Sequence, residues 1–293
     1  MARQRQATPL DALYGGRIQP AAQALKGMRG LESDLEREFK KHAAYREELK
    51  SLSAPVGDSL GRILGDEQGE AVRGLAALDQ RLGRAKLSPP APPAEIERLS
   101  SGSISANVVP PLNYQWTWNA QNGGATVSTA ATASNGRMSF NLWNNGRDAT
   151  AWGRAAVGIY FRPIFANGIL RISSNPAFNF NWWTICAFAS AHSDAFIGLY
   201  VGKYTLAGGF DSAPVSQQVS LWNDDSWWSG ASGSGSNSGF PLSAWISVDN
   251  AHWYAIWIWC GGSVHGSGWG TFSGSGAGAN LAVTVPSIMW ELF

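Results

Sequence analysis

Two periodicities divide the chain. From Leu31, apolar residues recur at Leu35 and Phe39 and, after a polar gap, at Tyr45, Leu49, Leu52, Val56, Leu60, Ile63 and Leu64. Steps of three and four are those of one face of an α-helix, and they leave Glu36, Arg37, Glu38, Lys40, Lys41, Glu47 and Glu48 to face water. Pro55 has no N–H to donate and breaks or kinks this run near Ala54. Ala71, Leu75, Leu78 and Leu82 repeat the spacing beyond a turn bracketed by Gly65 and Gly69. The pattern predicts two or three amphipathic helices.

From residue 104 the period becomes two. Phe178 and Phe180 alternate with Asn179 and Asn181, and Leu281, Val283 and Val285 with Ala282 and Thr284, as in strands with one buried face. Short aromatic runs are separated by turn residues at the spacing of a sandwich or closed barrel, which predicts about ten strands. Among them are one long strand over Phe178–Ser190, one over Gly266–Ser273 and one over Ala279–Leu292. Asn122-Gly123, Asn135-Gly136, Asn145-Gly146 and Asn167-Gly168 are strong hairpin signals and predict consecutive hairpins in the first half of this region. Between the two regions, Ser88-Pro89-Pro90-Ala91-Pro92-Pro93 continues neither helix nor sheet and favours a stiff polyproline spacer.

The expected fold is therefore α+β and multidomain, with N-terminal amphipathic helices and an antiparallel, jelly-roll-like β-sandwich. Its expected parts are a helical assembly or docking segment over residues 1–87, a Pro- and Ser-rich linker over 88–103, and an all-β domain over 104–293. The helical stripe must bury its apolar side. Self-association is the favoured reading, and a helical hairpin packed on the β domain of the same chain is the alternative.

Charge sharpens the division. Only 15% of the 293 residues are charged, against about 25% in an average domain. Beyond Ser101 there are six basic and seven acidic side chains, which leaves 16 and 14 in the first hundred residues. All fifteen tryptophans, Trp116 to Trp290, lie in the second region. With no clustered basic surface, nucleic acid is not an expected partner. Met1 to Asp11 has charge without the apolar run of a secretory signal, and no apolar stretch approaches the roughly 20 residues of a membrane helix. The protein is expected to be made in the cytoplasm, with release or export by another route left open.

Candidate chemistry is sparse. Leu221-Trp222-Asn223-Asp224-Asp225-Ser226-Trp227-Trp228 precedes a Gly- and Ser-rich loop, Gly230 to Gly239. Sugars are held by stacking on aromatic rings and by carboxylates and amides that take hydroxyl hydrogen bonds. Trp222, Asp224, Asp225, Trp227 and Trp228 are thus the candidate ligand-binding residues, against the reading in which the acids form turns and the indoles pack inward. His192 and Asp194 near Ser190 and Ser193 invite a hydrolase reading but lack a nucleophile elbow. His252 and His265 lack paired acids, and Cys186 and Cys260 have no zinc-like spacing. Both thiols sit in aromatic runs, so buried reduced cysteines are expected before a disulfide.

No catalytic residue, metal or cofactor is therefore expected. The leading reading is a non-enzymatic, homo-oligomeric protein whose β domain binds a glycan or other surface receptor. Two others stand beside it. One is a membrane-active pore former that inserts Gly- and Ser-rich strands such as Gly261 to Gly278; the other is a purely structural assembly subunit.

Overall fold

The computed structural model describes residues 104–293 except 145–147, 164–165, 188, 207–209, 227–229 and 269–273. Of the N-terminal segment it describes Ser33, Glu36, Arg37, Phe39, Lys40, Lys41 and Ala44, all helical. The rest of the predicted helices and the linker lie outside the described residues.

Alternation of side chains builds the sandwich. Among the described residues there are fourteen strands: β1 (Ile104–Val108), β2 (Tyr114–Asn122), β3 (Thr126–Thr132), β4 (Arg137–Asn144), β5 (Thr150–Phe161), β6 (Asn167–Ser174) and β7 (Ala177–Ala187), followed by β8 (Ala189–Thr205), β9 (Phe210–Ser226), β10 (Ala231–Asn237), β11 (Leu242–Asp249), β12 (His252–Gly268), β13 (Gly274–Thr284) and β14 (Ile288–Leu292). They form three antiparallel sheets. A long sheet has the order β2-β5-β12-β8-β9, a second has β10-β7-β13-β4-β3, and a four-stranded sheet has β1-β14-β6-β11.

One apolar core joins the inner faces of all three sheets. β4 shows how it is made. Met138, Phe140, Leu142 and Asn144 point inward and are buried, while Arg137, Ser139, Asn141 and Trp143 point outward. The long sheet contributes Val157, Ile159 and Phe161 from β5 and Ile256, Ile258 and Cys260 from β12. Trp290 of β14 packs its ring 4.5 Å from that of Phe161 and is 1% exposed. Burying one such side chain contributes about 1.5–3 kcal/mol.

The long sheet is covered on both faces, so its central strands read as continuous apolar runs rather than alternating ones. Tyr254 to Cys260 is buried at every position. The inner members join the common core. The outer ones, with Tyr114, Trp116 and Trp118 of β2, Tyr160 of β5 and Phe196, Tyr200 and Tyr204 of β8, form a separate aromatic layer. Phe39 of the N-terminal segment packs against that layer, its ring 5.5 Å from that of Trp152 and nearly perpendicular to it.

Several expected elements are redrawn. Phe178–Ser190 takes in all but the first residue of one strand, β7, and the start of another, β8, in a different sheet, and Ala279–Leu292 divides around Pro286 into β13 and β14. Of the strand expected over Gly266–Ser273, Gly266 to Gly268 are the end of β12, and residues 269–273 lie outside the described residues. The Gly230–Gly239 loop contains an edge strand, β10, paired with β7. Of the Asn-Gly pairs, Asn135-Gly136 closes a hairpin between paired strands, β3 and β4. Asn122-Gly123 follows β2, which pairs with β5 and not with β3, and Asn167-Gly168 opens β6. Gly123 and Gly136 take φ values of 59° and 68°, so a turn is formed at each. Which strand lies next in the sheet is decided by the apolar faces.

Cys186 and Cys260 are both buried, in different sheets, and are not joined by a disulfide. Burial raises the Cys260 thiol to about 12.

Candidate functional site

β9 runs unbroken through the segment singled out in the sequence, and alternation separates its residues. Trp222 faces the core, 7% exposed, stacked on Phe180 at 5.0 Å and 24° and on Trp182 at 6.5 Å and 12°. Its indole N–H donates to Ser193 Oγ at 3.0 Å. Asp224 also points inward, where its Oδ2 accepts from Thr184 Oγ1 at 2.7 Å and Ser226 Oγ at 2.9 Å, tying β9 to β7 across the sandwich. Asp225 points to the opposite face and meets His192 Nδ1 at 2.6 Å. Trp227 and Trp228 lie outside the described residues. The three that are described do not meet on one open surface, since Trp222 and Asp224 face inward and Asp225 outward.

A different face collects aromatic and amide groups. On the outer side of the second sheet, strand register sets side chains in rows. One row runs Ser234, Asn181, Asn280, Asn141, Ser128 across β10, β7, β13, β4 and β3. The next runs Ser232, Trp183, Gly278, Trp143, Thr126 across the same strands. Neighbouring strands lie about 4.8 Å apart, so the three asparagines span about 10 Å, with the indole row about 7 Å away. Asn141, Asn181, Trp143, Trp183 and Asn280, with Ser232, Ser234 and Gly278, line a groove of about 760 Å³.

Glycine shapes this face. A Cβ on Gly278 would stand 2.2 Å from Trp183 Nε1, and one on Gly276 would stand 3.1 Å from the outer edge of the same indole. The Trp183 ring therefore lies over the two bare positions of β13. Trp143 meets it edge-on, with centroids 5.0 Å apart and planes at 68°, and is itself 48% exposed. With exposed Ile185 on the same face it forms an apolar patch, and such patches mark interaction surfaces when contiguous. On the far edge, Gly233 and Gly235 of β10 make room in the same way for Trp182 and Phe180, whose rings come within 2.6 and 2.7 Å of where a Cβ would be.

Electrically the face is nearly blank. The five strands of this sheet contain one charged side chain, Arg137, and no carboxylate. Asparagine amides offer two donors and an acceptor each, and serine hydroxyls one donor and an acceptor oxygen. The arrangement can stack a flat apolar ligand surface on indole and read hydroxyl groups beside it. It has no means of holding an anion strongly.

Charged residues gather elsewhere, and one group of them, His192, Asp194, Asp225 and Arg154, lies on the outer face of the long sheet. His192 lies between Asp225 and Asp194, its Nε2 3.4 Å from Asp194 Oδ2. Burial works against its charge, but the hydrogen bonds and attraction of the two carboxylates prevail and hold the imidazole up at about 10. For Asp194 burial pulls upward, and contact with His192, nearby Arg154 and the Ser263 N–H prevail and lower it. A histidine held as a cation between two acids is no general base. Ser193 points to the opposite face, where its hydroxyl donates to the Gly278 carbonyl at 3.2 Å. The serine and histidine of the hydrolase reading are therefore on different sides of β8. His252 Nδ1 meets Asp249 Oδ1, and Lys203 Nζ lies 3.2 Å from that same carboxylate. Among the described residues, no three His, Cys, Asp or Glu side chains are placed to hold a metal ion.

Trp143, Trp183 and the asparagine row were not singled out in the sequence. The outward alternation of β7, Asn179-x-Asn181-x-Trp183, is legible there, but that β4 and β13 bring Asn141, Trp143 and Asn280 alongside depends on register between strands about 40 to 140 residues apart.

No family model matches this chain, and no curated protein matches it. Among solved structures it is similar to the enzymatically active domain of bacteriophage CBA120 tailspike protein 4, at 12% identity and a TM-score of 0.20, over 59% of this chain and 19% of that one. It is also similar to a chain of infectious bursal disease virus Gx strain, at 10% identity and a TM-score of 0.17, over 66% of this chain and 36% of that one. A third likeness is to the CBM22-1 xylan-binding domain of Paenibacillus barcinonensis Xyn10C, at 16% identity and a TM-score of 0.13, over 48% of this chain and 83% of that one. This chain thus spans well under half the length of the first two, and at these scores none of the three bears on what it does. Among the described residues no helix is long and apolar enough to cross a membrane.

Proposed function

We propose that the β-sandwich is a non-enzymatic recognition module that binds a neutral glycan on the outer face of the β10-β7-β13-β4-β3 sheet. The observation that carries this reading is the register of the two rows, Asn181–Asn280–Asn141 beside Trp183–Gly278–Trp143, along one open groove. Trp183 offers a stacking platform for the C–H face of a sugar ring, and Trp143 walls it. The amides exchange hydrogen bonds with hydroxyls, and the lack of charge selects against carboxylated, sulfated or phosphorylated chains. Of the Gly- and Ser-rich residues on which the pore-forming alternative rests, the described ones are paired within two sheets: Gly261 to Gly268 lie between β5 and β8 or continue along β8, and Gly274 to Gly278 lie beside β7.

Retention of the full chain in native gels cast with neutral or with acidic polysaccharides tests the reading. Neutral gels are expected to retard the protein and acidic ones to leave it unchanged. Trp183→Ala is expected to lose the retardation, a weakening of about tenfold or more for a central aromatic anchor, with its β-sheet circular dichroism kept. Retardation in acidic gels alone, or in none, would sink the proposal.

A second reading has its own observation. Ile185, next outward residue after Trp183, is 59% exposed, so this face also suits packing against another copy in an assembly. Under that reading the gels show no retardation and the mass rises with concentration, falling back on Ile185→Asp.

A further inference from the structure

The opposite side of the sandwich poses a separate problem, which concerns the helical segment and not the ligand. The outer face of the long sheet carries six of the fifteen tryptophans, with Trp257 and Trp259 at 2% and 5% exposure. An aromatic layer of this size rarely stands in open water without a partner. Burial pushes the phenols of Tyr114, Tyr160 and Tyr204 in this layer up, in keeping with a covered face.

We infer that the helical stripe of the N-terminal segment is seated on this aromatic face of its own chain. Phe39 is the contact that shows the occupant. It is half-buried with its ring edge-on to Trp152, while Glu36, Arg37, Lys40 and Lys41 around it are exposed. That is how a helix turns its apolar face to a surface and its charges to water. The sequence spacing of Leu35 and Leu31, four and eight residues before Phe39, is that of one helical face, and eight residues of helix reach about 12 Å, or two to three strand spacings. Within the same face, Arg154 lies over the Trp152 and Phe196 rings, 5.5 and 4.8 Å from their centroids, so the seat has a cationic border beside its aromatic floor. The stripe is then spent on its own chain, the alternative that the sequence left open beside self-association. The consequence is an arm that closes one side of the sandwich and leaves the groove of Trp143 and Trp183 on the other side open.

Photocrosslinking the full chain tests this. With p-benzoylphenylalanine in place of Phe39, irradiation is expected to join residue 39 to the peptide that contains Trp152 within one chain, so the product runs as a monomer on a denaturing gel. A dimer band overturns the inference, because the arm then sits on a second copy. Absence of any crosslink to β5 overturns it too. As an independent reading, Phe39→Glu is expected to raise acrylamide quenching of tryptophan emission severalfold at unchanged solution mass, with Phe39→Leu restoring the original value. Unchanged quenching in a folded Phe39→Glu protein also counts against it.

Discussion

Trp222 and Trp183 are the same residue type used in two ways. Trp222 is sandwiched among Phe180 and Trp182 with its N–H satisfied by Ser193, so all of it serves the core. Trp183 lies over glycine with its other side toward the groove. The sequence favours Trp222 as a binding residue because acids follow it, and those acids divide between faces once β9 is a strand. Asp225 is the outward one, and its value lies in holding His192. With His192 raised to about 10 in the folded chain against an ordinary 6.5, the folded state binds a proton that the unfolded state releases first. Its contribution to stability is full below pH 6.5 and is lost as pH rises through about 10. Urea melts are expected to show falling stability from pH 6 to pH 9. His192→Ala should remove much of that slope and, by taking the imidazolium from Asp225 and Asp194, cost about 1–3 kcal/mol at pH 6. Equal slopes in both proteins would refute the assignment.

At the scale of elements, glycine decides where aromatic rings lie. β13 presents Gly276 and Gly278 outward between two tryptophan-bearing strands, and β10 presents Gly233 and Gly235 inward over Trp182 and Phe180. Read as composition, these glycines suggest a loop. Read against their partners, they are the small residues that pair with large ones across a sheet. Gly278→Ala sets a methyl 2.2 Å from Trp183 Nε1, so the indole must lift from the strand. The expected outcome is a loss of neutral-polysaccharide retention comparable to that of Trp183→Ala, with an ordered sandwich, although residue 278 itself gains only one carbon. Retention equal to that of the unaltered chain would show that the flat seat of Trp183 is not needed. Alternation within strands such as β4 was legible in the sequence. Pairing was not, because a turn signal such as Asn122-Gly123 fixes where the chain bends and leaves open which sheet receives it.

For the whole molecule the division seen in composition acquires a spatial form. A common core joins three sheets, and the two outer surfaces differ in chemistry. One is a buried aromatic layer that meets Phe39, and the other is an open, uncharged face of Asn, Ser and Trp. The charge deficit of the β region foreshadowed the second, whose five strands carry a single charged side chain, Arg137. The first was hidden by the same fifteen tryptophans that announced it, because a count does not say which face each one takes.

Oxidative footprinting of the tryptophans, with and without a saturating neutral polysaccharide that the affinity gel retains, tests the central claim most directly. The account predicts that Trp143 and Trp183 become severalfold slower to oxidise, while Trp227 and Trp228 keep their rates. Protection at Trp227 and Trp228 with Trp143 and Trp183 unchanged would place the ligand on the segment after β9 and contradict the assignment of the sheet face.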